Sequence, residues 1–191
     1  MLQLKEYLDK AISYNDYMQI VEKEANSKNE KAEFSALNLK RMQRLNKTFS
    51  LNNEQIDKLK SIPKDCSLLV ITETWCGDAS QILPVLHKIS EAVGSNMKLI
   101  FRDENPEIMQ EYSYNGTQSI PIVIGINNTT FKEVFRWGPR TKTGTEMLKK
   151  FKENPEIYSK EKFHIDLQQF YNHNKGQEIF EEIIENCERV C

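Results

Sequence analysis

Glycine and proline are scarce in this chain of 191 residues, with seven glycines and six prolines, and neither occurs among the first 60 residues. A segment without these helix breakers is predicted to be helical, and its apolar residues recur at spacings of three and four. One helix is expected over residues 31–48. Asn52 and Gln55 form a capping-box pattern, which predicts a further short helix after it.

An excess of charge of one sign is also lacking. The 28 acidic and 26 basic residues leave a net charge of −2, so no global field favours nucleic acid or an anionic membrane as a partner. A local basic cluster is interpreted as a solvated helix face rather than a nucleic-acid site. Its members are Lys40, Arg41, Arg44 and Lys47.

Long apolar runs are missing as well. The longest, at residues 68–72 and 120–126, have the length of strands and fall far short of the roughly 20 residues that span a bilayer. The N-terminus lacks the continuous apolar stretch of an export signal. We therefore expect a soluble, cytoplasmic protein with no membrane partner.

Cysteine is sparse, with four residues at positions 66, 76, 187 and 191. That number does not suit the disulfide framework of a secreted protein, and the spacing matches no zinc template. His87, His164 and His173 lack metal-ligand spacing. The sequence thus indicates a reducing compartment, no metal and no cofactor.

The hydrophobic pattern changes its period after residue 63. A nearly all-apolar run at Cys66–Thr72 is typical of a central strand, and a helix over 76–93 follows it. Further strands are predicted at 98–102, 120–126 and 131–137. Helices are predicted after Asn105 and over 140–151, and the rest of the chain is mostly helical.

These elements predict an α/β fold with a four-stranded mixed sheet flanked by helices. Residues 1–62 are interpreted as an N-terminal helical extension and 63–153 as the core. Residues 154–191 are interpreted as a C-terminal helical extension.

The chemistry is expected where the first core strand meets its helix, at Trp75-Cys76-Gly77-Asp78-Ala79. Unpaired N–H groups and the dipole at a helix N-terminus favour the thiolate, which is the nucleophilic form of cysteine. We therefore expect the thiolate of Cys76 to be more populated than that of a free cysteine. Ala79 supplies no second thiol to resolve a mixed disulfide formed by Cys76.

Three features in the same order resemble the thioredoxin superfamily. They are Trp75-Cys76-Gly77 at a strand-to-helix junction, Asp103-Glu104-Asn105-Pro106 after the next strand, and Ile120-Pro121 opening another. The resemblance covers residues 64–153 and implies a thioredoxin-like fold. It also implies that Pro121 is cis and faces Cys76 across a groove for an extended substrate.

A segment after the hairpin is similar to that of thioredoxin-like proteins with Trp-Cys-Gly-Asp in place of Trp-Cys-Gly-Pro. It reads Trp137-Gly138-Pro139-Arg140, and the similarity implies that it lies beside the cysteine. Trp137 is then expected to form a hydrophobic wall, and Arg140 to attract the thiolate or an anionic substrate. The groove is assigned to Trp75, Gly77, Asp78, Ile120, Pro121, Trp137 and Arg140.

The chain also departs from thioredoxin. Ala79 replaces the resolving cysteine, and Val70 stands where thioredoxins carry a buried acid. Asp78 adds a carboxylate that opposes thiolate formation. The first strand of thioredoxin is expected to be missing, with the N-terminal helices in its place.

Three hypotheses follow for the function. In the first, Cys76 is the catalytic residue of a monothiol exchange with a protein disulfide or a low-molecular-weight thiol such as glutathione, and an external thiol resolves the product. A resolving thiol from Cys187 or Cys191 is a minor variant. In the second, the protein is a non-redox binding or scaffold module that keeps the groove. The third, a glutathione transferase-like enzyme, is disfavoured because no large helical domain follows the core.

Overall fold

The structure is a computed structural model that describes residues 3–60, 62, 64–113 and 116–189. Cys191 and Pro63 lie outside the described residues. The described strands are β1 (Ile12–Ser13), β2 (Cys66–Thr72), β3 (Met97–Phe101), β4 (Ile122–Asn127) and β5 (Glu133–Trp137). They form one sheet in the order β1-β3-β2-β4-β5, in which only β2 and β3 are parallel neighbours.

Helices surround this sheet. In chain order they are α1 (Leu4–Lys10), α2 (Tyr14–Ala25), α3 (Ala32–Thr48), α4 (Asn53–Leu59), α5 (Ala79–Val93), α6 (Pro106–Glu111), α7 (Lys142–Glu153), α8 (Lys160–Asn174) and α9 (Gln177–Glu188). The predicted capping box of α4 is confirmed, since Asn52 and Gln55 each bond the other's backbone N–H. Within the described part of the chain, no helix combines the length and apolarity needed to cross a membrane.

The prediction of four strands is wrong, because the described residues form five. The additional strand, β1, interrupts the N-terminal helical segment and pairs antiparallel with β3 at the sheet edge. It ends where Ser13 caps α2 through a reciprocal capping box with Asp16, which restarts the helix at once. A two-residue strand between helices leaves no alternating pattern, so hydrophobic periodicity does not reveal it.

The core is centred on β2 and α5. Leu69, Val70 and Ile71 of β2 are fully buried, as the nearly all-apolar run predicts for a central strand. Helix α5 is buried on most of its surface because α3, α4 and α9 all contact it. Helices from both ends of the chain therefore pack directly on the core helix.

Strand directions place the functional segments at one edge of the sheet. The carboxyl end of β2 leads into residues 73–78, and the parallel strand β3 ends beside it at Phe101, directly before Arg102. Strand β4 runs the opposite way, with Ile122 paired to Ile71, so residues 118–120 arrive at the same edge. Strand β5 reverses again, with Trp137 paired to Val123, and delivers the segment up to Arg140 there.

Candidate functional site

Cys76 lies in the turn between β2 and α5, opposite a cis peptide bond. The helix begins at Ala79 rather than at Cys76, although the backbone N–H of Ser80 already donates to the Cys76 carbonyl at 3.2 Å. The thiol donates a hydrogen bond to the carbonyl of Ile120, with 3.3 Å between Sγ and the oxygen. The bond from Ile120 to Pro121 is cis. The Cys76 thiol is therefore hydrogen-bonded to the carbonyl of the cis peptide bond itself.

The thiol of Cys76 is buried and protonated at neutral pH. The residue is 7% exposed, and burial, followed by the charge of Asp78, raises its pKa to about 12. Hydrogen bonds from the backbone N–H groups of Ala79 and Asp78, and the charge of Arg140, oppose this rise. The expectation of an enriched thiolate is therefore wrong, since loss of water outweighs the helix N-terminus.

Asp78 holds a buried polar triad beside the cysteine. Its carboxylate accepts a hydrogen bond from the Tyr171 hydroxyl at 2.8 Å and pairs with Nη2 of Arg140 at 2.6 Å. Burial raises the pKa of Asp78, while Arg140 and Tyr171 lower it. The guanidinium of Arg140 is thus paired with an acid, whereas the sequence predicted a cation directed at the thiolate or a substrate.

The indole of Trp75 contacts two cations through cation–π interactions. Nζ of Lys31 lies 5.0 Å and Cζ of Arg102 lies 4.9 Å from the ring centroid. Its Nε1 is buried and meets no hydrogen-bond acceptor among the described residues. Trp75 is therefore held in place by its ring faces, while its donor stays unsatisfied.

Trp137 lies away from the cysteine. Its Nε1 donates to the carboxylate of Glu182 on α9 at 2.7 Å, and its side chain lines a second cavity of about 650 Å³. The loop that follows does reach the cis bond: a Cβ at Gly138 would lie 2.3 Å from the carbonyl oxygen of Pro121. The Gly138 to Pro139 bond is also cis.

A cavity of about 540 Å³ opens beside Cys76. Helix α3 and helix α8 form two of its walls, and the sheet edge supplies the rest. The lining residues are Arg41, Trp75, Cys76, Gly77, Asp78, Arg102, Gln118, Ser119, Ile120, Arg140, His164, Leu167, Gln168 and Tyr171. The cavity shares Ser119 and Arg140 with the second cavity.

Six of the eight residues assigned from the sequence to catalysis or the groove line this cavity: Trp75, Cys76, Gly77, Asp78, Ile120 and Arg140. Pro121 is not a lining residue, although it forms the cis bond with Ile120, which is one. Trp137 lines the second cavity. Sequence reasoning missed Arg41, Arg102, His164 and Tyr171. The interpretation of Arg41 as part of a solvated face is wrong, because this member of the basic cluster is half-buried and lines the cavity.

No second thiol accompanies Cys76 in the described part of the site. Cys66 lies at the opposite end of β2, and Cys187 is buried on α9; neither lines the cavity. Among the described residues, no group of histidines, cysteines and acids is arranged to hold a metal ion. What the site does offer is a buried thiol, a buried ion pair and several arginines around one cavity.

The cis bond opposite a strand-to-helix cysteine, on a mixed sheet of this order, defines a protein with a thioredoxin-like fold. A family model for thioredoxin matches residues 25–152, and the chain belongs to the thioredoxin family. The matched region includes α3, α4 and Arg41 as well as the sheet from β2 to β5. We found no match among the curated proteins.

Two solved structures are similar over the full length of both chains. One is the crystal structure of a protein of unknown function from Pseudomonas aeruginosa, with a TM-score of 0.70 and 15% identity. The other is the crystal structure of an HIV epitope-scaffold, with a TM-score of 0.69 and 14% identity. Each comparison covers 100% of both chains, and at these identities the likeness is one of fold alone.

Proposed function

We propose that this thioredoxin-family protein is a binding module that uses the groove beside Cys76 and cycles no disulfide. The observation that carries the proposal is the state of the thiol, which is 7% exposed and donates to the Ile120 carbonyl at 3.3 Å. Attack on a disulfide requires a thiolate. A buried thiol engaged as a hydrogen-bond donor is poorly suited to that step.

The cavity supports a binding role. Its volume of about 540 Å³ is within the range of roughly 300–1,000 Å³ that small-molecule sites occupy. Its polar lining is held in place, since Asp78 is fixed by both Arg140 and Tyr171. An accessible groove whose polar groups are held in fixed positions favours the binding of a specific ligand.

Monothiol exchange is the second candidate, and one observation favours it. Cys76 lines the cavity just before α5, where two backbone N–H groups stabilise negative charge on its sulfur. In this reaction the Cys76 thiolate attacks one sulfur of a disulfide, a mixed disulfide forms, and the other sulfur leaves as a thiolate. A second, external thiolate then attacks the mixed disulfide and releases Cys76.

Incubation with oxidised glutathione separates the two candidates. The protein is held at pH 7 beside a short cysteine peptide, quenched with acid, and analysed by intact mass and peptide mapping. We expect Cys76 to remain unmodified while the reference peptide is converted. An adduct on Cys76 that forms as fast as on the peptide, and disappears in Cys76→Ser, would establish exchange instead.

A further inference from the structure

The cavity beside Cys76 holds more cations than anions. Three arginines line it, and Asp78 is the sole acid among its described lining residues. Arg140 is neutralised by Asp78 at 2.6 Å, and Arg102 pairs with Asp103 at 2.8 Å. Arg41 has no such partner: among the described residues, its guanidinium bonds the amide oxygen of Asn38 at 3.2 Å and forms no ion pair. Arg41 is therefore the arginine of this cavity that no described ion pair neutralises, although the charge of Asp78 raises its pKa against the effects of burial and Arg44.

Arg41 lies beside Gly77, the residue that follows Cys76. A Cβ built on Gly77, the residue after Cys76, would lie 3.5 Å from Nη1 of Arg41. The guanidinium therefore lies within van der Waals reach of the turn that carries Cys76. Burial, followed by the charge of Arg44, lowers the pKa of Arg41. A half-buried cation without an acid is costly, and an anion placed against it offsets that cost.

Two further donors on the same wall are unsatisfied. Nε1 of Trp75 and Nε of Arg140 are buried without an acceptor among the described residues, and both residues line the cavity. Buried donors in native proteins nearly always meet an acceptor. Both atoms are too deeply buried to meet a ligand in the cavity, so the selection of a ligand falls to Arg41.

We propose that Arg41 binds a carboxylate of a small peptide-like ligand in this cavity. This inference rests on the proposed binding function and names its ligand class. A carboxylate matches the forked donors of a guanidinium and forms charge-assisted hydrogen bonds with it. A cavity of about 540 Å³ admits a molecule of tripeptide size. Neutral ligands of the same shape leave the arginine uncompensated and are discriminated against.

Isothermal titration calorimetry with S-methylglutathione tests the inference. This probe is a small peptide with free carboxylates and a blocked sulfur, and its diethyl ester keeps the same peptide backbone without those charges. We expect wild type to bind the acid at least about tenfold more tightly than the ester, which is the size of effect that one charge-assisted contact produces. Arg41→Gln is expected to lose about tenfold for the acid and nothing for the ester.

Lys40→Gln is the matched control, because it removes the same charge from an exposed neighbouring position on α3. Its affinity for the acid should stay within about twofold of wild type, since exposed charges are strongly screened. Arg41→Lys keeps the charge and should retain more affinity than Arg41→Gln. Thermal melting of each variant shows whether it is folded.

Equal affinity of wild type and Arg41→Gln for the acid would overturn the inference, as would equal affinity of wild type for acid and ester, or no binding of the acid at millimolar concentration. Because the sulfur of the probe is blocked, these results do not depend on whether Cys76 exchanges disulfides. Tight binding of the acid that is independent of Arg41 leaves the binding function standing and removes the role proposed for Arg41.

Discussion

Nη2 of Arg140 lies 2.6 Å from Oδ2 of Asp78, and this buried ion pair governs the charge around Cys76. The arginine lowers the pKa of the thiol, while the aspartate raises it by more. Tyr171 holds the carboxylate in place from α8. Helix α8 thereby takes part in setting the protonation state of a cysteine in the core.

Asp78→Asn should make Cys76 more reactive. The substitution removes the negative charge beside the thiol and leaves Arg140 to favour the thiolate, so the pKa of Cys76 should fall. Each pKa unit lost increases the thiolate fraction about tenfold at a pH below the pKa. The rate of Cys76 alkylation by iodoacetamide at pH 8, followed by peptide mapping, measures the change. Asp57→Asn, at an exposed site on α4, is the control and should leave the rate unchanged.

The pH profile of the same alkylation reaction independently gives the direction in which the pKa of Cys76 is shifted. With a thiol pKa of about 12, the wild-type rate should still rise with every pH unit through pH 10 and reach no plateau. The Asp78→Asn profile should bend at lower pH. A wild-type plateau below pH 9 would show that the thiolate is stabilised after all.

Gly138→Ala should destabilise the protein more than Gly94→Ala. Both glycines have positive φ, +112° and +75°, which disfavours any residue with a side chain. Only at Gly138 does the new Cβ collide with backbone, 2.3 Å from the oxygen of Pro121; at Gly94 nothing described lies within 4 Å. We expect a loss of about 1–2 kcal/mol for Gly94→Ala and roughly 2–5 kcal/mol for Gly138→Ala by urea denaturation. Equal losses in the free energy of unfolding would show that the loop at Gly138 accommodates the new Cβ without additional destabilisation.

Glu182→Gln should weaken the attachment of α9 to the sheet edge. The Glu182 carboxylate accepts hydrogen bonds from Nε1 of Trp137 and from the backbone N–H of Lys142, both at 2.7 Å. An amide has one acceptor oxygen, so one of these donors is left unpaired at a cost of about 1–3 kcal/mol. Urea denaturation measures the loss. Glu188→Gln, at an exposed position on the same helix, should lie within about 0.5 kcal/mol of wild type.

Local sequence patterns predicted the parts of the fold that local physics determines. The run at Cys66–Thr72 became the buried central strand, and the helix expected over 31–48 is α3. The strand expected to begin at Phe131 starts later, because Phe131 has φ of +55° and belongs to the turn. Strand β1 was not predicted because a strand of two residues is too short to show an alternating hydrophobic pattern.

The site was predictable only in part, for a different reason. Cys76, Asp78 and Ile120 belong to short motifs, whereas Arg41 and Tyr171 reach the cysteine through the packing of α3 and α8, which no local pattern encodes. The expectation of an enriched Cys76 thiolate was wrong because the effect of burial on the thiol pKa is larger than that of the helix N-terminus. A helix N-terminus contributes roughly 0.3–1 kcal/mol, while a rise in the thiol pKa from 9.0 to about 12 corresponds to roughly 4 kcal/mol against the thiolate.

The walls that α3 and α8 provide have a consequence for engineering. A fragment trimmed to residues 64–153 retains the sulfur and the cis imide but exposes them on an open face, without Arg41 or Tyr171. The proposed ligand site is thus built from segments near both ends of the chain. Grafting those two helices onto another thioredoxin scaffold would test whether they are sufficient to form it.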